Sequence, residues 1–120
     1  MGPSKTWEIV YCESNGKDYY DEWYMELVPT IRALIDQHRN RLRLGTGKTK
    51  FVRGKLRELV IDEGAGYRVY YYRYSSNQLM IFTGSNKRNH QHAIDLAEKL
   101  MNAVEEQKKT QKKNADKNKK

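Results

Sequence analysis

The order of apolar and polar residues in the first third of the chain predicts a strand followed by two helices. The stretch from Trp7 to Cys12 is rich in apolar residues and predicts a β-strand, and the Asn15-Gly16 pair predicts a turn after it. Asp18 is a suitable N-cap for one helix and Pro29 suits the first turn of another, so the two predict a helical hairpin. Apolar residues recur at helical spacing at Tyr20, Trp23, Tyr24 and Leu27, and again at Ile31, Leu34, Ile35, His38 and Leu42.

The middle of the chain predicts three strands joined by short connections. Gly45 and Gly47 end the helical region, and the segment from there to Gly54 is interpreted as a basic loop. Short connections between strands indicate antiparallel neighbours. The predicted strands are roughly Lys55–Ile61, Tyr67–Tyr74 and Leu79–Thr83.

A last helix is predicted to begin near Asn89, because apolar residues recur at helical spacing from Ile94 to Val104. The element order is therefore β-α-α-β-β-β-α, which predicts an α+β fold with a small antiparallel sheet, an N-terminal helical hairpin and a C-terminal helix. We expect the helices to cover one face of the sheet and to leave the other open to solvent or a ligand. Residues 1–107 are interpreted as one domain, and residues 108–120 as a lysine-rich tail that is a frayed helix end or disordered.

Positive charge is concentrated in one part of the predicted domain. The net charge of the chain is +8, yet the stretch from Arg39 to Arg57 alone holds eight Lys or Arg residues and no acidic residue. A focused positive segment of this kind favours a polyanion as partner, and a solvated charged face is the alternative.

The single cysteine and the absence of a long apolar run argue against a disulfide-bonded protein and against a membrane protein. Cys12 is the only cysteine, which excludes an intramolecular disulfide and favours a cytoplasmic location. The chain contains no apolar run of about 18 residues, so no membrane partner is expected. The stretch Gly45-Thr46-Gly47-Lys48-Thr49 lacks the spacing of a Walker phosphate loop and does not follow a strand.

One predicted strand places an arginine beside aromatic rings. Alternation along Tyr67–Tyr74 puts Arg68, Tyr70, Tyr72 and Tyr74 on one face, which we expect to be the open one. Tyr67, Val69 and Tyr71 share the other face, which we expect to be the core face. Arginine binds phosphate through two parallel hydrogen bonds, and tyrosine offers a ring on which a base can stack. The alternative is that tyrosine is present as a good strand former with an arginine lying over it.

The preceding strand adds two cations. Lys55 and Arg57 are two residues apart and point the same way, although Leu59 shares their parity. A β-bulge near Glu58 would turn the leucine inward and both cations outward. The two cations would then converge with Arg68 on one surface.

The segment between the last strand and the last helix carries four basic or titratable side chains, Lys87, Arg88, His90 and His92. A helix N-terminus suits an anion, and histidine exchanges a proton near neutral pH. The alternative is that they are ordinary polar loop and cap residues. Two histidines are too few for a zinc site, so no metal or other cofactor is expected.

These residues together resemble a known family. The stretch Gly54–Tyr72, with its Glu-Leu-Val-Ile strand, Gly-Ala-Gly turn and Tyr-Arg-Val-Tyr-Tyr strand, is similar to the signature of RelE/HigB-type toxins. Gly84–Lys87, followed by Ile94, Ala97 and Leu100, is similar to the end of that signature. The resemblance is particularly to the addiction module killer subfamily of the RelE/ParE superfamily, and it covers residues 54–100.

The resemblance implies a toxin that a cognate antitoxin protein holds inactive. In the ribonuclease members the substrate is messenger RNA, usually on the ribosome, and basic residues of adjacent strands act on the scissile phosphate. By position these residues correspond to Arg68, Lys55 and Arg57, with Lys87 or Arg88 after the last strand.

The chain departs from the family pattern where a proton-transfer group is expected. Ribonuclease relatives often place a catalytic tyrosine near the chain end, where Ile94 stands here, and His90 replaces a glutamine. His90 or His92 is therefore expected to supply the missing proton-transfer group.

The resulting hypothesis is a metal-independent endoribonuclease. The ribose 2′-hydroxyl would attack the adjacent phosphate, Lys55 or a histidine would accept its proton, and Arg68 with Arg57 would stabilise the growing charge. A histidine would protonate the leaving oxygen. The residues expected to bind RNA are Arg39, Arg41, Arg43, Lys48, Lys50, Arg53, Tyr70, Tyr72 and Arg88.

Two other functions remain open from the sequence. A ParE-like toxin shares the fold but inhibits gyrase without nuclease chemistry, and a toxin-like fold can also serve as a non-catalytic RNA-binding module.

Overall fold

Residues 6–117, the part of the chain that the structure describes, form an α+β fold with one five-stranded sheet and three helices. The structure is a computed structural model, and its side chains are described as far as residue 112. The helices are α1 (Tyr19–Met25), α2 (Pro29–Arg43) and α3 (His90–Lys117). The strands are β1 (Glu8–Tyr11), β2 (Thr49–Arg53), β3 (Leu56–Ile61), β4 (Tyr67–Arg73) and β5 (Gln78–Asn86).

The predicted helical hairpin is confirmed. Asp18 caps α1 by accepting a hydrogen bond from the backbone N–H of Asp21, and Pro29 opens α2. The Asn15-Gly16 turn is confirmed as well, because both residues have positive φ angles inside a bridge between Ser14 and Lys17. Local sequence signals therefore suffice to predict the two helices and the turn before them.

The sheet is mixed, so the prediction of an antiparallel sheet is wrong. Its strand order is β1-β5-β4-β3-β2, and β1 runs parallel to β5 while the other neighbours are antiparallel. Short connections impose antiparallel pairing only on strands that follow one another. The first strand lies beside the last one, so no hairpin sets its direction.

The segment predicted as a basic loop contains a strand, and the element order is β-α-α-β-β-β-β-α. In β2, Thr49 pairs with Leu59 and Phe51 with Arg57, and the register shifts between Phe51 and Arg53. Threonine, phenylalanine and valine favour a strand, and an edge strand tolerates the exposed cations between them. The segment was predicted as a loop because of its basic residues, although strand-forming residues lie between them.

Helices cover both faces of the sheet, so the prediction of one open face is wrong. The face under α1 and α2, named here the hairpin face, buries Leu59, Val69 and Ile81. The opposite face, named the α3 face, buries Tyr70 and Tyr72, both 0% exposed, beneath α3. Alanines at positions 93 and 97 let α3 approach these large rings closely. The tyrosines expected to stack on bases are therefore core residues.

The end of β5 is held by a tryptophan from α1. The strand runs on to Asn86, beyond the predicted end at Thr83, and Gly84 lies buried within it. A side chain at position 84 would collide with the Trp23 ring, which lies directly on the glycine. Glycine is thus required here by contact between α1 and the sheet.

The lysine-rich tail continues α3. The helix runs to Lys117, so the described part of the tail is helical, and residues 118–120 lie outside the described residues. The Lys108 ammonium donates a hydrogen bond to the Tyr74 carbonyl and lies over its ring. This contact joins the first turn of the tail to the domain.

Candidate nucleic-acid interface

A pocket opens on the hairpin face where α2 ends. It encloses about 210 Å³ near the starts of β1 and β3 and the end of β4. We call it the arginine pocket. Its lining consists of Trp7, Leu42, Gly45, Gly47, Thr49, Arg57, Tyr71, Arg73 and Leu79.

Strand register brings the polar side chains of the arginine pocket together. Arg57 of β3 pairs directly with Tyr71 of β4, and Arg73 lies two residues further along the same face. Arg57 and Arg73 are therefore diagonal neighbours across two strands. Leu79 pairs with Arg73 and continues the lining onto β5.

Arg57 has an unsatisfied donor inside the protein. Its Nε atom is buried without a hydrogen-bond partner, and the side chain forms no ion pair with any residue of the described chain. Its guanidinium carbon lies 4.1 Å from the centre of the Phe51 ring, and that ring is 72% exposed. An unmet buried donor costs the folded state about 1–3 kcal/mol, so Arg57 is not at this position to increase stability.

Arg73 provides a second guanidinium, on an exposed side chain. Its guanidinium carbon is 5.4 Å from the centre of the Trp7 ring, and its Nε donates to the Ser75 carbonyl oxygen at 3.3 Å. The remaining N–H groups of the guanidinium are available to an anion. The arginine pocket thus presents one inner and one outer cation.

Tyr71 contributes a neutral hydroxyl. Burial raises the pKa of the Tyr71 hydroxyl, and a hydrogen bond with Thr49 and the positive charge of Arg57 lower it by less. The hydroxyl therefore stays protonated at neutral pH and serves as a hydrogen-bond group rather than as a base.

Backbone alone forms one wall of the pocket. At the end of α2 the N–H of Gly45 donates to the Leu42 carbonyl and that of Thr46 to the Arg41 carbonyl, a Schellman motif that requires a positive φ of 80° at Gly45. A Cβ atom at Gly47 would lie 3.0 Å from the Leu59 side chain. These glycines keep the loop tight against the sheet beside Arg57.

The predicted convergence of Lys55, Arg57 and Arg68 does not occur. The pairing of β3 with β4 is regular from Arg57 to Ile61, so there is no bulge near Glu58. Arg57 consequently lies on the hairpin face, and Arg68 shares the α3 face with Tyr70. Lys55 belongs to the turn before β3, where its ammonium lies 3.0 Å from the Glu105 carboxylate of α3.

Arg68 faces the α3 side and is enclosed by acidic side chains, contrary to the expectation that it faces away from the helices. Its guanidinium lies 3.7 Å from Glu58 and 4.0 Å from Asp62, and it donates to the Tyr67 carbonyl. Only 13% of the Arg68 side chain is exposed. Its charge is therefore compensated within the protein.

Arg68→Ala is expected to lower stability and to leave RNA binding nearly unchanged. The substitution would leave Glu58, whose side chain is 15% exposed, without its cation, which we expect to cost about 1–3 kcal/mol. Urea denaturation measures this loss, and a Glu58→Gln/Arg68→Met double variant should recover part of it. If Arg68→Ala kept full stability but lost RNA binding, the assignment of Arg68 as a structural residue would be wrong.

The basic and histidine side chains after β5 lie at a different site. Lys87, Arg88, His90 and His92 are all exposed, and His90 Nδ1 lies 2.8 Å from the Lys87 carbonyl oxygen. His92 lines a separate groove of about 360 Å³ with Trp23 and the end of β5. That groove and the arginine pocket lie at opposite ends of β5, roughly 20 Å apart by strand rise. Among the described residues, no histidine therefore lines the arginine pocket.

Tertiary contacts neutralise half of the predicted basic segment. Four of its eight cations form ion pairs with acidic side chains, Arg39 with Asp36, Lys48 with Asp62, Arg53 with Asp95 and Glu98, and Lys55 with Glu105. In the described part of the chain Arg41, Arg43, Lys50 and Arg57 form none. Arg41 and Arg43 occupy the last turn of α2, which ends at the arginine pocket.

Several residues of the pocket were not identified from the sequence. Tyr71 was assigned to the core face with Val69, and Arg73 was not singled out, although it shares that parity. The sequence did carry one signal for this pocket. Arg73 lies two residues after Tyr71, so it places a charged side chain on the face that was assigned to the core. Trp7, just before β1, lines the pocket, and Phe51 of β2 stacks on Arg57. Neither residue carried such a signal.

Comparison with known proteins does not assign the chain to a family. Neither a protein-family model nor a curated protein sequence matches the chain. Among residues 6–117, no helix is long and apolar enough to cross a membrane, and no group of three metal-ligating side chains is brought together.

Proposed function

We propose that this protein binds single-stranded RNA at the arginine pocket and acts as a RelE-type toxin that cleaves the bound messenger RNA. The observation that supports the binding most directly is the Arg57 guanidinium, which has no ion pair or hydrogen-bond partner among the described residues and lines one pocket with a second arginine. The proposal of toxin activity rests on the resemblance of residues 54–100 to RelE/HigB-type toxins.

The chemistry of the arginine pocket favours a nucleic acid among anionic partners. No acidic side chain of the described residues lines the pocket, while Trp7 and Tyr71 line it and Phe51 stacks on Arg57. Arginine beside aromatic rings can hold both the phosphates and the bases of a flexible strand. Arg41 and Arg43, in the last turn of α2, add positive charge close by, which attracts the phosphate backbone.

The depth of the pocket favours a single strand over a duplex. Arg57 lines the pocket, so a ligand group must enter the pocket to reach its guanidinium. Bases in a duplex are stacked and paired, whereas those of a single strand turn outward at low cost.

The proposed cleavage uses the substrate's own nucleophile. The ribose 2′-oxygen attacks the adjacent phosphorus, the P–O5′ bond breaks, and the products are a 2′,3′-cyclic phosphate and a 5′-hydroxyl. Hydroxide from the solvent removes the 2′-hydroxyl proton and water protonates the 5′-oxygen, because no carboxylate, lysine or histidine within the described chain lines the pocket. Arg73 stabilises the negative charge that grows on the phosphate.

Binding and cleavage of short RNAs test the proposal. A labelled single-stranded RNA is expected to bind more tightly than a duplex of the same sequence, and to yield a cyclic-phosphate product. Equal or tighter binding of the duplex would contradict it. Inhibition of gyrase supercoiling without RNA cleavage would favour a ParE-like inhibitor, and RNA binding without cleavage or growth inhibition would favour a plain RNA-binding module.

The rate of cleavage is expected to rise steadily with pH. The raised pKa keeps Tyr71 protonated through the neutral range, so the titrating group is the 2′-hydroxyl of the substrate. The rate should then increase roughly tenfold per pH unit between about pH 6 and pH 8, and EDTA should have no effect. A bell-shaped profile centred near the ordinary pKa of histidine would contradict this and implicate His90 or His92.

A toxin of this kind requires a silencing partner. We propose that a cognate antitoxin covers the arginine pocket with an acidic segment, because opposite charge favours that contact. Co-expression with the adjacent reading frame should yield a stable complex that no longer binds RNA. A complex that retains full RNA binding would place the antitoxin elsewhere.

A further inference from the structure

The inner half of the arginine pocket is built to recognise a planar group with acceptor atoms. Arg57 is held in position by its stack on Phe51, and its buried Nε has no partner among the described residues. Its two Nη groups, which are not buried, form two parallel donors. The matching ligand therefore presents two adjacent acceptors and no donor on the same edge.

The other walls distinguish a base from a phosphate. Leu42, Leu79 and Trp7 supply apolar and aromatic surface next to the donor. A hydrated phosphate gains nothing from this surface, whereas a planar ring is stabilised by stacking on it. Arg73 is the exposed cation of the pocket, so the phosphate of the same nucleotide is best placed there.

Among the four bases, guanine alone presents two adjacent acceptors, O6 and N7, on an edge that carries no donor. Cytosine also has adjacent acceptors, N3 and O2, but its amino donor lies on the same edge. Adenine combines the N7 acceptor with an amino donor, which would oppose the donors of Arg57. Uracil presents a single acceptor at the corresponding position.

The geometry points to guanine as the base that the arginine pocket accepts from single-stranded RNA, with O6 and N7 bound by Arg57. This inference rests on the proposed RNA binding and adds the identity of the recognised base. It assigns base recognition to Arg57 and phosphate binding to Arg73.

The test compares short oligouridines that carry one substituted base at the centre. A 2′-fluoro backbone prevents cleavage because it lacks the attacking hydroxyl. Guanine and hypoxanthine keep both acceptors, 7-deazaguanine loses N7, and adenine replaces O6 by a donor. Oligonucleotides with guanine or hypoxanthine are expected to bind the full chain about tenfold more tightly than the other two.

Arg57→Met removes the donors and keeps a long side chain. In this variant the four oligonucleotides are expected to bind equally, with the fold checked by its thermal transition. Equal binding of all four by the wild-type protein, or a preference that survives in Arg57→Met, would overturn the inference and leave RNA binding intact. Failure of the wild-type protein to bind any of them would overturn the proposed function and the base recognition with it.

Discussion

A variant carrying both Arg57→Gln and Arg73→Gln is expected to bind single-stranded RNA at least about 100-fold more weakly than the wild-type protein. The two guanidinium groups lie on adjacent strands of one face, and no acidic residue of the described chain lines their pocket. Hydrogen bonds to charged groups contribute about 1.5–3 kcal/mol each, and roughly 1.4 kcal/mol corresponds to a factor of ten in affinity. Fluorescence anisotropy with a labelled RNA measures the loss, and cleavage should fall at least as far.

A matched control separates the pocket from the overall charge. Lys48→Gln with Lys55→Gln also removes two positive charges, but these lysines form ion pairs with Asp62 and Glu105. This variant should lose only a few-fold in affinity, through the salt-dependent attraction of the phosphate backbone. If both double variants lost affinity equally, long-range charge would account for RNA binding and the pocket would not be the site.

Gly84→Ala is expected to be the most destabilising substitution among the described glycines. A methyl group at this buried position of β5 would overlap the Trp23 ring. The Tyr20 ring packs against Trp23, with 5.7 Å between the two ring centres, so the Trp23 ring has little room to move away. Forced displacement of a packed ring costs about 3 kcal/mol, which corresponds to a fall of roughly 10 °C in the melting temperature. Circular dichroism melting measures this fall.

Two further variants identify the cause of that loss. Gly54→Ala is the control, because its φ is +52° but no described atom lies within 4 Å of the added carbon, so only backbone strain of about 1 kcal/mol is expected. In a Trp23→Leu background, Gly84→Ala should cost much less, since the smaller side chain leaves room for the methyl group. An unchanged cost in that background would show that the glycine is required for another reason.

The Trp23–Gly84 contact illustrates how two separate sequence features are related. Trp23 was recognised as part of an apolar stripe, and Gly84 as part of the segment that resembles RelE/HigB-type toxins. Local periodicity identifies each residue but does not show that they meet, because 61 positions separate them along the chain. Their contact depends on α1 packing against the far end of β5.

Arg57 and Arg68 show what strand periodicity predicts and where it is insufficient. Alternation correctly placed Arg68 with Tyr70 and Tyr72, since period two is a local property of the backbone. The path of α3 decides whether a helix covers this face of the sheet. Because α3 packs on it, Tyr70 and Tyr72 are buried, although they were expected to be exposed. The bulge invoked to join Arg57 with Arg68 is absent, so the two arginines lie on opposite faces.

The sequence by itself determined the elements whose signals are local. These include the capped helical hairpin, the turn at Asn15-Gly16, the three strands after Gly54 and the α+β class. Caps, turns and alternation act over a few residues, so they can be identified without knowing the rest of the chain.

The tertiary structure alone decided which cations remain unpaired and which face is open to a ligand. Lys48, Arg53 and Lys55 belong to an acid-free stretch of sequence, yet acidic residues from distant elements neutralise them. Arg57 has no such neighbour in the described chain, because α2 ends before covering it and the pocket around it is lined by aromatic, glycine, threonine, leucine and arginine residues. Charge along a chain is a sum over sequence neighbours, whereas the field at a site depends on distances that only the fold defines.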